Sequence, residues 1–89
     1  MRDGERILQI LDFLDKVDKT TGKVVRPNVV GKALGINANL AKAMMLRLKK
    51  AKFVDVTKAD IGKWEGLEVY KINPHGRWKL KQLQETFGR

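Results

Sequence analysis

Residues 27–51 read PNVVGKALGINANLAKAMMLRLKKA, and this stretch decides the fold. Proline suits the first turn of a helix, so Pro27 is expected to open a short helix over 28–34. Gly35 follows directly and ends that helix, and Asn37 is a good N-cap for a longer helix to the end of the stretch. The pattern therefore predicts two helices joined by a short turn that contains glycine.

The two predicted helices carry the small and apolar residues that close packing requires. Gly31 provides a small residue where the second helix crosses the first, and Gly35 tolerates the positive φ that the turn needs. The second helix has an inward apolar stripe at helical spacing, which consists of Ala41, Met45 and Leu48. This combination is typical of the helix-turn-helix motif.

On the N-terminal side, residues 4–18 show apolar positions at helical spacing. This first helix is expected to end in the segment 19–22, and residues 23–25 could form a very short strand. Its acids Asp12, Asp15 and Asp18 lie on the polar side of the helix and are expected to be solvated.

On the C-terminal side, residues 53–58 and 67–72 alternate between apolar and polar side chains, which predicts two strands. A loop flanked by glycines is expected between them, over 59–66. Asn73 and Pro74 then provide an N-cap and a first helical residue for a last helix that ends at Gly88. The class is therefore α+β and mainly helical, and the 89 residues are expected to form one domain over 1–89.

Three segments carry a resemblance to a known family: VVGKALGIN at 29–37, LKKAKFV at 48–54 and YKINPHGR at 70–77. In these segments the chain resembles the winged helix-turn-helix transcriptional regulators, a group that includes MarR-, ArsR- and PadR-like proteins. The resemblance covers roughly residues 5 to 87. The chain departs from the family pattern at Lys52, where glycine is usual, and at Gly31, where alanine is commoner.

The resemblance implies a three-helix core, a β-hairpin wing and a C-terminal helix. It also implies binding to double-stranded DNA by a sequence-specific, repressor-like transcriptional regulator, with the helix 37–51 in the major groove and the wing 58–66 on the DNA backbone. Two alternatives stay open. One is a winged-helix module that binds protein or RNA, and the other is a chromatin- or replication-associated DNA binder with little sequence preference.

The charge of the chain is concentrated in its middle part. The whole chain carries a formal charge of +9, from 19 Lys and Arg against 10 Asp and Glu. Residues 23–58 contain nine of the basic residues and a single acid, Asp55. A localised excess of this kind favours a polyanionic partner, either nucleic acid or an anionic membrane surface. A basic surface with no partner is the alternative.

The candidate DNA contacts lie on the second helix of the motif, on the wing and just before the motif. Asparagine can read adenine and lysine can read guanine, so Asn39 and Lys42 are the candidates for base edges. Ala43 is a candidate for contact with a thymine methyl group. The candidates for phosphate contacts are Arg26, Arg47, Lys49, Lys50, Lys58 and Lys63. The alternative for each cation alone is a solvated surface residue.

Trp64 lies in the predicted wing and has two interpretations. The indole could act as a wedge or a stacking platform on DNA. The preferred interpretation is that it folds back to cover the sheet.

The first and last helices carry more apolar surface than a single core requires, and winged-helix regulators often dimerise through these helices. Phe13, Val17 and Trp78 are therefore the candidates for a homodimer interface.

The absence of cysteine excludes disulfides and cysteine-ligated metals and favours a cytoplasmic protein. His75 is the only histidine and belongs to no triad or metal-ligand pattern, so neither an enzyme nor a metal or cofactor is expected. No apolar run is long enough for a signal peptide or a membrane span.

Overall fold

A computed structural model describes residues 3–88 of the chain. The order of elements is α1 (Asp3–Thr20), α2 (Pro27–Leu34), α3 (Ala38–Lys50), β1 (Val54–Ile61), β2 (Trp64–Ile72) and α4 (Pro74–Thr86). The two strands form an antiparallel hairpin. This confirms the α+β, mainly helical class, and the arrangement is consistent with a winged-helix architecture.

The caps predicted for the last two helices are both present. The Asn37 side chain accepts a hydrogen bond from the Leu40 amide at 2.9 Å, and the Asn73 side chain accepts one from the Gly76 amide at 2.7 Å. Gly35 ends α2 in the left-handed conformation, with φ 67°. Each feature depends on residues within four positions of the cap, which is why the sequence alone predicts it.

Lys52 lies at the exit from α3, at the position where glycine is usual in the pattern that the sequence resembles. It has φ 63°, the only positive φ of a non-glycine residue in the described range 3–88. The short strand predicted over 23–25 is reduced to one bridge, in which Val25 and Tyr70 exchange backbone hydrogen bonds of 2.8 and 2.7 Å.

The hairpin differs from the prediction, because the loop predicted over 59–66 is wrong. The strands continue to a two-residue turn at Gly62 and Lys63, and Ile61 pairs with Trp64 across it. Gly62 has φ 60°, the positive φ that tight hairpin turns require at their first central residue. An irregularity in register between Ala59 and Ile61 breaks the alternation that would have revealed the longer strands.

The core lies between α1, α4, the pair α2 and α3, and the base of the hairpin. Ala41, Met45 and Leu48 are buried as predicted, and Met44 is also buried, which widens the inward stripe of α3. A Cβ on Gly31 would lie 3.0 Å from the Ile36 carbonyl oxygen and 3.4 Å from the Ala41 Cβ. The close approach of α2 and α3 at this glycine is therefore confirmed.

An ion-pair network joins α1 to α4, so the expectation that Asp15 and Asp18 are solvated is wrong. The Arg77 guanidinium donates to Asp15 at 3.1 Å and also to Asp18, and Lys19 lies 2.9 Å from Asp15. Burial disfavours the charged form of Asp15, but the hydrogen bonds from Lys19 and Arg77 outweigh it and hold the pKa of this carboxyl below its usual value. Because α4 packs against α1, Asp15 and Asp18 face α4 and not solvent.

Candidate nucleic-acid interface

The outward face of α3 is the face that the predicted buried stripe leaves exposed. Asn39, Ala43, Leu46 and Lys50 all lie on it and are all exposed. Leu46 is 43% exposed, so a large apolar side chain stands among polar residues on this face.

A groove of about 570 Å³ runs between α3, the start of α2 and strand β2. It brings together four of the predicted DNA contacts, which are Arg26, Asn39, Lys42 and Ala43. Leu46 lies beside them on the helix, while Leu67, Glu68 and Tyr70 form the wall on the side of the hairpin. The groove therefore has cations on the side of α2 and α3, and a single acid, Glu68, on the side of the hairpin.

Arg26 stands at the start of α2 with hydrogen-bonding capacity to spare. Its Nε is buried and has no partner among the described residues. Arg26 is also the N-cap of α2 and provides no side-chain cap, and no acid lies in the first turn of that helix. Pro27 has no amide hydrogen, and the Val29 and Val30 amides donate to the Arg26 carbonyl oxygen. The Arg26 Nε is therefore the donor that is left unused at this helix end.

The cations of the C-terminal half of α3 have a different environment. Arg47 donates to Asp3 at 3.1 Å, and Lys49 lies 3.7 Å from Glu68. Both are candidates for phosphate contacts, and each is paired with an acid from another element. Lys50 is exposed and has no ion-pair partner among residues 3–88.

Glu68 and Tyr70 belong to the groove but carry no signal in the sequence. The Tyr70 hydroxyl donates to the Glu68 carboxylate at 2.9 Å, and the ring is buried. Burial, together with the hydrogen bond to Glu68 and its charge, raises the pKa of Tyr70 to about 12. The hydroxyl therefore keeps its proton at neutral pH and holds the carboxylate in place. In the sequence the two residues are ordinary members of an alternating strand.

The hairpin carries Lys58 in the middle of β1 and Lys63 and Trp64 at its turn, all of them exposed. Trp64 is 60% exposed, so the preferred interpretation that it folds back over the sheet is wrong. The tight turn places it opposite Ile61 at the end of the ribbon, beyond the core that its ring would have covered. The Lys63 Nζ lies 5.9 Å from the centroid of the Trp64 ring.

The three residues predicted for a dimer interface are not equivalent. Phe13 and Val17 are half-buried and pack against the core of their own chain. Trp78 is 56% exposed and stacks on His75, with ring centroids 5.5 Å apart and planes 9° apart. Only Trp78 thus presents most of its side chain to solvent.

Within residues 3–88, no three His, Asp or Glu side chains come together where they could hold a metal ion. The same residues include no helix with the length and apolar character needed to cross a membrane.

No protein-family model matches the chain, and no curated protein matches it. Among solved structures, the chain is similar to the protein RV1404 from Mycobacterium tuberculosis, known from a crystal structure. The TM-score is 0.62 and the sequence identity 17%, over 86% of this chain and 50% of RV1404. The chain thus spans half the length of that protein, and at this identity the likeness shows the fold alone.

Proposed function

We propose that the chain is a winged helix-turn-helix protein that binds double-stranded DNA in the cytoplasm as a sequence-specific, repressor-like regulator of transcription. The observation that carries the proposal is the N-terminal half of α3. The outward side chains of this half are exposed, none of them is acidic, and Asn39, Lys42 and Ala43 share one groove with Arg26 at the start of α2.

In this proposal α3 enters the major groove with its N-terminal half nearest the bases. Asn39 can make a bidentate contact to adenine, and Lys42 can donate to guanine. Ala43 is small enough for a thymine methyl group to approach. Each of these side chains is exposed, so base contact requires no rearrangement of the core.

Phosphate contacts would fix the position of α3 on the duplex. Arg26 supplies an Nε donor without a partner at one end of the groove, and no acid lies in the first turn of α2 beside it, which suits a phosphate oxygen. Lys58 and Lys63 would meet the backbone from the hairpin, and the exposed Trp64 ring would lie against a groove edge. Lys50 would add a contact beyond the end of the base-reading region.

A homodimer would present two copies of α3 to half-sites one helical turn apart or a multiple of that distance. The support for it is the exposed Trp78 on α4, with the edges of Phe13 and Val17 on α1 beside the core. Light scattering at micromolar concentration tests it, and a monomer under those conditions would refute it.

The primary test is fluorescence anisotropy with a random-sequence duplex at several salt concentrations. We expect log affinity to fall linearly with log salt, with a slope of about −0.9 per phosphate contacted. No binding at low salt would refute DNA binding and favour a protein or RNA partner.

A second measurement separates a regulator from a DNA binder without sequence preference. After a preferred duplex is selected from a random pool, Asn39→Ala is expected to weaken binding to it by about tenfold, because a bidentate base contact is lost. Binding to random duplex should change little. Gln82→Ala on α4 is the control for loss of an amide. Equal losses on both duplexes would favour the alternative with little sequence preference.

A further inference from the structure

Glu68 is an acid in the wall of a groove whose other charged residues are basic. Its carboxylate lies 3.7 Å from the Lys49 Nζ and accepts the Tyr70 hydroxyl hydrogen at 2.9 Å. Lys58 is its cross-strand partner in the hairpin, so the two side chains project from the same face of the ribbon. Glu68 thus has cations on both sides.

The position of this carboxylate is maintained by the fold. Tyr70 is buried and its hydroxyl stays protonated, so it remains a hydrogen-bond donor to Glu68. Glu68 is itself half-buried, which limits the directions in which it can swing. A phosphate that approached Lys49 would therefore meet a fixed negative charge next to its intended partner.

The pair with Lys49 is exposed enough to open. The side chains of Lys49 and Glu68 are 44% and 42% exposed, and exposed ion pairs are weak. The carboxylate thus acts as a competitor for Lys49 and not as a permanent lock. The contacts at Asn39 and Lys42 are not affected in this way, because neither residue has an ion-pair or side-chain partner within the described chain.

We propose that Glu68 is a specificity-determining residue, whose carboxylate competes with DNA phosphates for Lys49 and so lowers the affinity for DNA of arbitrary sequence. Phosphate contacts supply most of the affinity for non-cognate DNA, whereas base contacts depend on sequence. If the phosphate contacts are weakened and the base contacts are kept, the ratio of cognate to non-cognate affinity rises. This inference rests on the proposed function and assigns a further role within the same surface.

The test is Glu68→Gln in the full chain, measured by anisotropy on a random-sequence duplex over a range of salt concentrations. Glutamine has the same shape and still accepts from the Tyr70 hydroxyl, so the fold is retained, which thermal unfolding verifies. We expect about fivefold tighter binding at low salt and a salt slope more negative by about 0.9, because Lys49 becomes free to contact one more phosphate.

Two control variants make the result specific to this position. Glu85→Gln changes the net charge equally on the exposed surface of α4 and is expected to leave the salt slope unchanged. The double variant Glu68→Gln, Lys49→Ala should return to the wild-type slope, because the freed lysine is gone.

An unchanged or shallower slope for Glu68→Gln, or weaker binding to random duplex, would overturn the role of Glu68. A more negative slope that persists in the double variant would overturn it as well. These results are distinct from failure of the proposed function, in which the wild-type protein itself would show no salt-dependent binding to DNA.

Discussion

The cations in the two halves of α3 differ in whether an acid of the protein lies beside them. In the N-terminal half, Lys42 lines an open groove beside Asn39 and has no ion-pair partner within residues 3–88. In the C-terminal half, Arg47 is paired with Asp3 and Lys49 with Glu68, while Lys50 has no ion-pair partner within the described residues. This difference shows that the number of basic residues along a helix exceeds the number of cations that are free to bind a polyanion. Acids from α1 and β2 offset part of the positive charge.

A different glycine allows close packing near each end of α3. Gly31 in α2 makes room for the N-terminal turn of α3, near Ile36 and Ala41. Gly76 in α4 makes room for the Phe53 carbonyl oxygen, just beyond the C-terminal end. A variant at each glycine therefore perturbs one end of the helix at a time.

The largest effect, a loss of stability, is expected for Gly76→Ala. A Cβ at this position would collide with the Phe53 carbonyl oxygen and lie 2.9 Å from the Ile72 Cγ1, so the backbone itself would have to move. We expect the free energy of unfolding in urea to fall by about 3 kcal/mol or more.

Gly31→Ala is the matched variant at the other end of α3. Its new Cβ meets the Ile36 carbonyl oxygen at 3.0 Å, and the higher helix propensity of alanine offsets part of that crowding. A loss of about 1 kcal/mol or less is expected. If Gly31→Ala lowers the free energy of unfolding more than Gly76→Ala does, then the packing is tighter at the N-terminal end of α3, contrary to this prediction.

An intermediate effect is expected when one lysine is removed from each half of α3. Lys42→Ala should weaken binding to a random duplex by about tenfold, because a free cation is lost. Lys49→Ala should weaken it by about twofold, because Glu68 already offsets that charge. Anisotropy at one low salt concentration gives both values, with Lys81→Ala on α4 as the control. Equal losses of affinity for Lys42→Ala and Lys49→Ala would show that the pairing of Lys49 with Glu68 does not reduce its contribution to binding.

The smallest effect is expected at the exit from α3. Lys52→Gly relieves a left-handed conformation that costs a side-chain-bearing residue about 1 kcal/mol, so the protein should become more stable by up to that amount. The hydrogen bond from Asn73 to the Lys52 carbonyl uses the backbone and is kept.

The control is Lys50→Gly in the last turn of α3, which should lower stability by up to ~1 kcal/mol because glycine is a poor helix former. Urea unfolding separates the two variants by sign. A stabilised Lys50→Gly, or a destabilised Lys52→Gly, would show that the conformation at residue 52 is not the cause.

The parts of the fold that could be predicted are those that depend on neighbours in the chain. The caps at Asn37 and Asn73 and the left-handed Gly35 each follow from the preferences of one or two adjacent residues. The inward face of α3 follows from its period. The length of the hairpin strands was harder to predict. The register irregularity near Ala59 interrupts the alternating pattern, and Gly62 makes the segment look like a loop in the sequence.

The candidate site was predicted only in part, for a related reason. Exposure of Asn39, Lys42 and Ala43 follows from their positions opposite the buried stripe, and the structure places all three in one groove. The position of Trp64 could not be predicted, because it depends on the length of the hairpin beyond the core. Glu68 was missed since nothing in an alternating strand indicates which residue will face α3.

The sequence by itself determined the helices, their caps, the turn between α2 and α3 and the excess of positive charge. These depend on hydrogen bonds and steric preferences that act over a few residues. Only the tertiary structure decided which cations of α3 meet an acid. Asp3 and Arg47 are 44 positions apart in the chain, yet their side chains are 3.1 Å apart. Coulombic attraction depends on distance in space, and packing of the helices and the hairpin sets that distance.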